Sequence, residues 1–161
     1  MAKIGFIGMG NMGYSMLKGA LRFLNSQDII FTCLSSDKKI KIYNETGVRY
    51  ADSNAECANN AKYIILAVKP QVYDVVLKNI HDIVTEESVI ISLAPGITID
   101  TIKAKLGQDI KVVRAMPNTP ALVGEGMTGI SYEKGDLDFN EIEFVETFFN
   151  SFGKVVTVPE K

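Results

Sequence analysis

The chain has 161 residues, the size of one ordinary domain, with 47% hydrophobic and 22% charged residues, so it is long and apolar enough to bury a core and is not a disordered segment. A net charge of −2 gives no electrostatic footprint for nucleic acid, and no apolar run approaches the length that spans a membrane. The chain starts directly on a strand pattern without a basic-then-apolar leader, so the expected compartment is the cytoplasm.

Strand-length apolar runs alternate with helical patterns almost throughout. "KIGFI" (3–7) reads as a buried strand, and a helix follows from Asn11 to about Leu24. Its Met12, Met16, Ala20 and Leu24 fall four apart with Leu17 and Leu21 beside them, an apolar stripe facing a sheet. "DIIFTCL" (28–34) is the next strand and "DKKIKIYNET" the next helix, with Asp37 as its expected cap and Gly47 closing it. "GVRYA" is a short strand, after which Ser53 or Asn54 caps a helix to about Asn60.

"AKYIILAV" (61–68) reads as a strand buried on both faces and stopped by Pro70. Residues 71–84 are helical, with Val72, Val75, Val76 and Ile80 expected inward. "SVIISLA" (88–94) is a strand, "TIDTIKAKLG" (98–107) a capped helix, and "IKVVRAM" (110–116) a strand ended by "PNTP". "GMTGISYEK" reads as a further strand, "DFNEIEFVETFFNSFG" as an amphipathic helix and "KVVTVP" as the last strand. Without repeats or linkers, this order implies one α/β domain: a mostly parallel sheet with helices on both faces, three layers in all.

Metal and triad chemistry find little support. Cys33 and Cys57 form no CxxC or metal-type spacing, and His81 is the sole histidine, so a His/Cys zinc site lacks ligands. His81 lies beside the face marked by Leu77, Ile80 and Val84 and is expected to face solvent.

The strongest local motif is Gly8, Gly10 and Gly13, a G-x-G-x-x-G that follows a buried strand and opens a helix. In that context Gly8 allows a tight turn, Gly10 lets a diphosphate lie against the backbone, and Gly13 lets helix and strand approach. The helix N-terminus adds free N–H groups and partial positive charge. No lysine follows as in an NTPase loop. The motif is therefore a dinucleotide cradle.

An acid about 20 residues on would grip the ribose hydroxyls of NAD. Here the strand tip reads Cys33-Leu34-Ser35-Ser36-Asp37-Lys38-Lys39. The Ser35 and Ser36 hydroxyls and the two ammonium groups suit the 2′-phosphate of NADP, so NADP is the favoured cofactor, with NAD possible. At the same edge of an open parallel sheet lie three further loops, "AVKP" (67–70), "LAPG" (93–96) and "MPNTP" (116–120).

"IGFIGMGNMG", "AVKPQ", "ISLAPGIT" and "VVRAMPNTPALVGEG", in that order over nearly the whole chain, closely resemble the N-terminal domain of pyrroline-5-carboxylate reductase. "RAMPNTP" before "VGEG" is the most selective of these motifs. The resemblance implies a Rossmann-like domain that binds NAD(P)H and serves hydride transfer to a cyclic imine, giving L-proline. It implies that Ile7, Gly8, Met9, Gly10, Asn11 and Met12 line the pyrophosphate and Ser36 the adenosine ribose or its phosphate. Asn54 would lie near the adenine. Ala67, Val68, Lys69 and Pro70, with Leu93, Ala94 and Pro95, would flank the nicotinamide half. Met116, Pro117, Asn118 and Thr119 would face the substrate. Pro95 stands where the family carries a second small residue.

The family's helical C-terminal dimerisation domain, with its Ser-Gly-Ser-Gly-Pro-type segment, is absent after "VPEK". The chain is therefore expected to be the cofactor half of the enzyme, monomeric and inactive by itself, while the full protein would be a homo-oligomer. No catalytic residue is assigned, because a protonated imine needs positioning more than a strong acid. Glu86, Glu87, Glu141 and Glu143 are expected on solvated surfaces. The alternatives are the cofactor domain of a β-hydroxyacid dehydrogenase or of a deazaflavin-dependent NADP reductase, or a non-catalytic NAD(P)-binding regulatory module.

Overall fold

In the computed structural model, which describes residues 2–117 and 126–160, an eight-stranded sheet forms the middle layer. The elements in chain order are β1 (Ala2–Ile7), α1 (Asn11–Ala20), β2 (Ile29–Thr32), α2 (Ser36–Thr46), β3 (Arg49–Tyr50), α3 (Asn54–Asn59) and β4 (Ala61–Leu66). They continue with α4 (Tyr73–Ile80), β5 (Val89–Ser92), α5 (Ile99–Leu106), β6 (Lys111–Pro117), β7 (Gly126–Tyr132), α6 (Phe139–Asn150) and β8 (Gly153–Thr157). The sheet order is β3-β2-β1-β4-β5-β6-β7-β8. Strands β1 to β6 are parallel, β7 runs antiparallel to β6, and β8 is parallel to β7.

Alternate side chains of the central strands feed two cores. Ile4, Phe6, Tyr63 and Ile65 point to the face covered by α1, α2 and α6, where Met16, Leu17, Phe148 and Phe149 pack. Ile7, Ile64, Leu66 and Ile90 point to the opposite face, against Val76, Leu77, Ile102 and Leu106. Because both faces are covered, these strands read in sequence as continuous apolar runs. Aromatic rings lock α6 down: Phe144 stacks on Tyr63 with centroids 4.0 Å apart, and Phe148 lies 6.2 Å from Phe6.

Three local expectations need correction. The first helix ends at Ala20 rather than near Leu24; residues 21–24 continue as turns, still packed on the core through Leu21 and Leu24. In the 71–84 segment Val72 and Val75 are exposed, while Tyr73, Val76, Leu77 and Ile80 are buried. The cause is phase: Pro70 starts a separate 3-10 turn over Pro70–Val72, and the α-helical rotation begins only at Tyr73. Glu141 is no surface carboxylate. Its side chain is 2% exposed and accepts from Lys111 Nζ at 2.8 Å, Lys62 Nζ at 2.9 Å and the Asp138 amide at 2.9 Å. It is the buried half of a capping box at the start of α6, a role that its spacing from Asp138 carries in the sequence. Glu86, Glu87 and Glu143 are exposed as expected, and His81 lies open beside Asp82.

Candidate functional site

Six parallel strands bring their carboxyl ends to one edge. The chain turns outward in opposite directions from β1 and β4, which are neighbours, and this switch point opens a crevice. Gly8 follows β1 and Ala67 follows β4, so the glycine loop and the "AVKP" loop meet there. Their contact explains the first glycine. A Cβ on Gly8 would lie 2.6 Å from the Ala67 carbonyl oxygen and 2.7 Å from Val68 Cγ1, and its φ of +102° is one that side-chain-bearing residues rarely adopt. Gly13 is closed in as well, since a Cβ there would lie 2.6 Å from the Gly8 carbonyl oxygen.

Gly10 differs. A Cβ on it would meet nothing within 4 Å, and its φ of −75° suits any residue. Space and backbone conformation therefore leave the absence of a side chain at Gly10 unexplained by the protein's own packing. Gly10 is also the N-cap of α1, no side chain caps that end, and no acid occupies the first turn. By helix geometry the first amides have no intrahelical acceptor. An uncapped helix start, free of negative charge and with a bare face toward open space, suits an anion and fits a dinucleotide diphosphate.

Beside this start lies a cavity of about 370 Å³ between α1 and α2, lined by Met9, Gly10, Asn11, Tyr14, Asp37, Lys38, Lys41, Ile42 and Glu45. The sequence reading named the first three and Lys38; it missed Tyr14, Lys41 and Glu45, which reach the cavity only because α1 and α2 lie side by side. The Tyr14 hydroxyl donates to Glu45 at 2.8 Å, and that bond is the main reason the phenol titrates above its usual range.

At the tip of β2 the two lysines part company. Lys38 Nζ donates to the Met9 carbonyl at 3.2 Å, on the glycine loop itself. Lys39 is buried, with its ammonium 5.9 Å from the Tyr50 ring centre, and takes no part in this edge. The cap of α2 is Ser35, whose Oγ accepts from the Lys38 amide at 3.1 Å, rather than Asp37, which sits in the first turn. That amide lies three positions on from Ser35, the reach an N-cap side chain needs. Ser35 still has its hydroxyl hydrogen to donate, and Ser36 is exposed at the helix start.

Asn54 opens α3, and its side-chain amide donates to Asn79 at 3.1 Å. Lys69, Pro70 and Pro95 are exposed; Ala67, Val68 and Leu93 are half-buried, and Ala94 is buried. Met116 and Pro117 end β6, with Met116 exposed. Asn118 and Thr119 lie outside the described residues. Among the described residues no cluster of His, Cys, Asp or Glu could hold a metal, and no helix is long and apolar enough to cross a membrane.

A family model described as NADP oxidoreductase, coenzyme F420-dependent, matches residues 3–96. The chain belongs to that family. It is 42% identical over 132 residues to a pyrroline-5-carboxylate reductase of Escherichia coli K12, an alignment covering 80% of this chain and 49% of the relative. Its fold matches that of a pyrroline-5-carboxylate reductase from Coxiella burnetii with a TM-score of 0.92 and 33% identity, over 99% of this chain and 60% of the other. It also matches a pyrroline carboxylate reductase of Plasmodium falciparum, solved with NADP bound, with a TM-score of 0.84 and 30% identity, over 98% of this chain and 57% of the other. The resemblance carried by "RAMPNTP" is thus borne out, and the fold is Rossmann-like. The chain spans about half the length of the curated relatives it matches.

Proposed function

We propose that this chain is the NADP(H)-binding part of a pyrroline-5-carboxylate reductase, serving hydride transfer to the carbon of a cyclic C=N to give L-proline, the last step of proline synthesis. The observation that carries this reading is Gly10: a glycine with open space where its Cβ would be, at an uncapped helix start on the switch point of the sheet. The NADP bound to the Plasmodium falciparum relative supports the choice of cofactor.

When bound, the cofactor supplies the hydride from its nicotinamide C4. The chain's part is to hold and aim it. The amides at residues 10–13 take the diphosphate, and the hydroxyls of Ser35 and Ser36 with the Lys38 ammonium take the 2′-phosphate. The 67–70 and 93–95 loops flank the nicotinamide. Met116 and Pro117, at the end of β6, wall the side from which the imine approaches. The family model bears a deazaflavin name but matches only residues 3–96, whereas the likeness to pyrroline-5-carboxylate reductases runs over 99% of the chain, which favours the imine. The contacts that hold the substrate carboxylate, and the dimer surface, are assigned to a helical domain outside this sequence.

Nicotinamide fluorescence on titrating the chain with NADPH and NADH tests the reading. Saturable binding, tighter for NADPH, is expected, with slow or no NADPH oxidation when pyrroline-5-carboxylate is added. Failure to bind NADPH would overturn the cofactor role. Normal steady-state turnover would overturn the division of the active site between two domains.

A further inference from the structure

The two loops assigned to the nicotinamide leave neighbouring strands at the same level: Leu66, the last residue of β4, and Ser92, the last of β5, are register partners. Between them sits a side chain that the function has not absorbed. Tyr73, the first residue of α4, is 2% exposed, and its hydroxyl donates to the Leu66 carbonyl at 3.1 Å and lies 2.9 Å from Ser92 Oγ. Ser92 is itself 1% exposed. We infer that the Tyr73 hydroxyl is a positioning group, fixing the spacing of the 67–70 and 93–95 loops and thereby the seat of the nicotinamide end of the cofactor. This rests on the cofactor reading proposed above.

The ring alone does not account for the residue. Phenylalanine would fill the same space between α4 and the sheet, and burying a hydroxyl brings a desolvation cost that its hydrogen bonds only offset. What the hydroxyl adds is geometry, since one atom ties the ends of two adjacent strands one residue before each loop. Burial pushes the phenol above its usual range, with Ser92 and the Ala94 and Leu93 backbone pulling against it, so the group stays protonated and able to donate at neutral pH.

The test uses the whole chain with two ligands: NADPH, which spans the edge, and adenosine 2′,5′-bisphosphate, which carries the adenosine half alone. In Tyr73→Phe the NADPH Kd should rise about three- to tenfold, the value of one lost hydrogen bond, while the bisphosphate Kd stays within about twofold of wild type. Ser92→Ala should act in the same direction, and the double variant should fall short of the sum of the singles, because both remove one shared bond. Equal weakening of both ligands would mark a merely structural role and overturn the proposal, as would no change in either, or strict additivity. Should Tyr73→Phe fail to fold, Ser92→Ala read against both ligands decides the matter. If the unmutated chain bound neither ligand, the cofactor reading itself would fall and take this proposal with it, an outcome visible before any variant is made.

Discussion

Adding a methyl group to one or another glycine of the loop separates binding from stability. Gly10→Ala places a Cβ in open space with φ at −75°, a conformation alanine adopts freely. The cost is the poorer N-capping of alanine, under about 1 kcal/mol. For a chain of this size that lowers Tm by no more than about 4 °C. Gly8→Ala meets two penalties. The positive φ of +102° costs about 1–2 kcal/mol for a side-chain-bearing residue. The Cβ also lies 2.6 Å from the backbone oxygen of Ala67, an overlap that cannot be relieved by turning a side chain, and such overpacking costs about 1–3 kcal/mol. Together about 2–5 kcal/mol corresponds to a Tm about 4–20 °C lower. Binding should rank the two variants the other way in relation to their stability. The new methyl in Gly10→Ala stands in the site proposed for the diphosphate, and an overlap worth about 1–3 kcal/mol should weaken NADPH about 5- to 150-fold in a fully folded protein. Thermal melts by circular dichroism and NADPH titrations at a temperature where both variants are folded give the two readouts. A Gly10→Ala protein that is stable and binds NADPH as the wild type does would refute the assignment of this surface to the diphosphate. A Gly8→Ala protein melting at the wild-type temperature would refute the account of the turn.

Two further outcomes follow from charged groups. Lys38→Ala should weaken NADPH about tenfold while leaving NADH within about twofold, because only the former carries the 2′-phosphate that the ammonium would meet; paired titrations check this, and an equal loss for both would reduce Lys38 to a support for the Met9 carbonyl. For Glu141, burial pushes the carboxyl up, but its bonds to Lys111, the Asp138 backbone and Lys62 outweigh it, so the carboxyl titrates below its usual range. Its stabilisation is therefore complete at neutral pH and is lost as pH falls through the lowered folded value. Glu141→Gln should cost about 2 kcal/mol at pH 7, less than a fully buried pair because Lys62 stays 35% exposed. Its Tm should also fall less steeply than that of the wild type between pH 6 and pH 3, and parallel melting curves would contradict this.

The fold and the glycine turn after β1 were legible in the chain because both are local. Buried parallel strands leave unbroken apolar runs such as "YIILAV", covering helices leave a stripe such as Met12, Met16 and Ala20, and a turn that only glycine can make leaves Gly8 in the sequence. Spacing also put Gly10 at the helix start, and the structure supplied the reason it matters, the empty space before it. What the sequence left open depends on rotation and on distant partners. Adjacent lysines 38 and 39 look alike on paper, yet about 100° of helix turn sends one to the glycine loop and the other beneath Tyr50. Val72 and Val75 look like an inward face until the 3-10 turn at Pro70 resets the phase. Glu141 reads as a surface acid until β4 and β6 bring Lys62 and Lys111 beside it, and nothing along the chain marks Tyr73 until two strand ends converge on its hydroxyl. Local rules act over a few residues and are written in order along the chain; which side chains meet across a layer is settled only when the sheet and its helices pack.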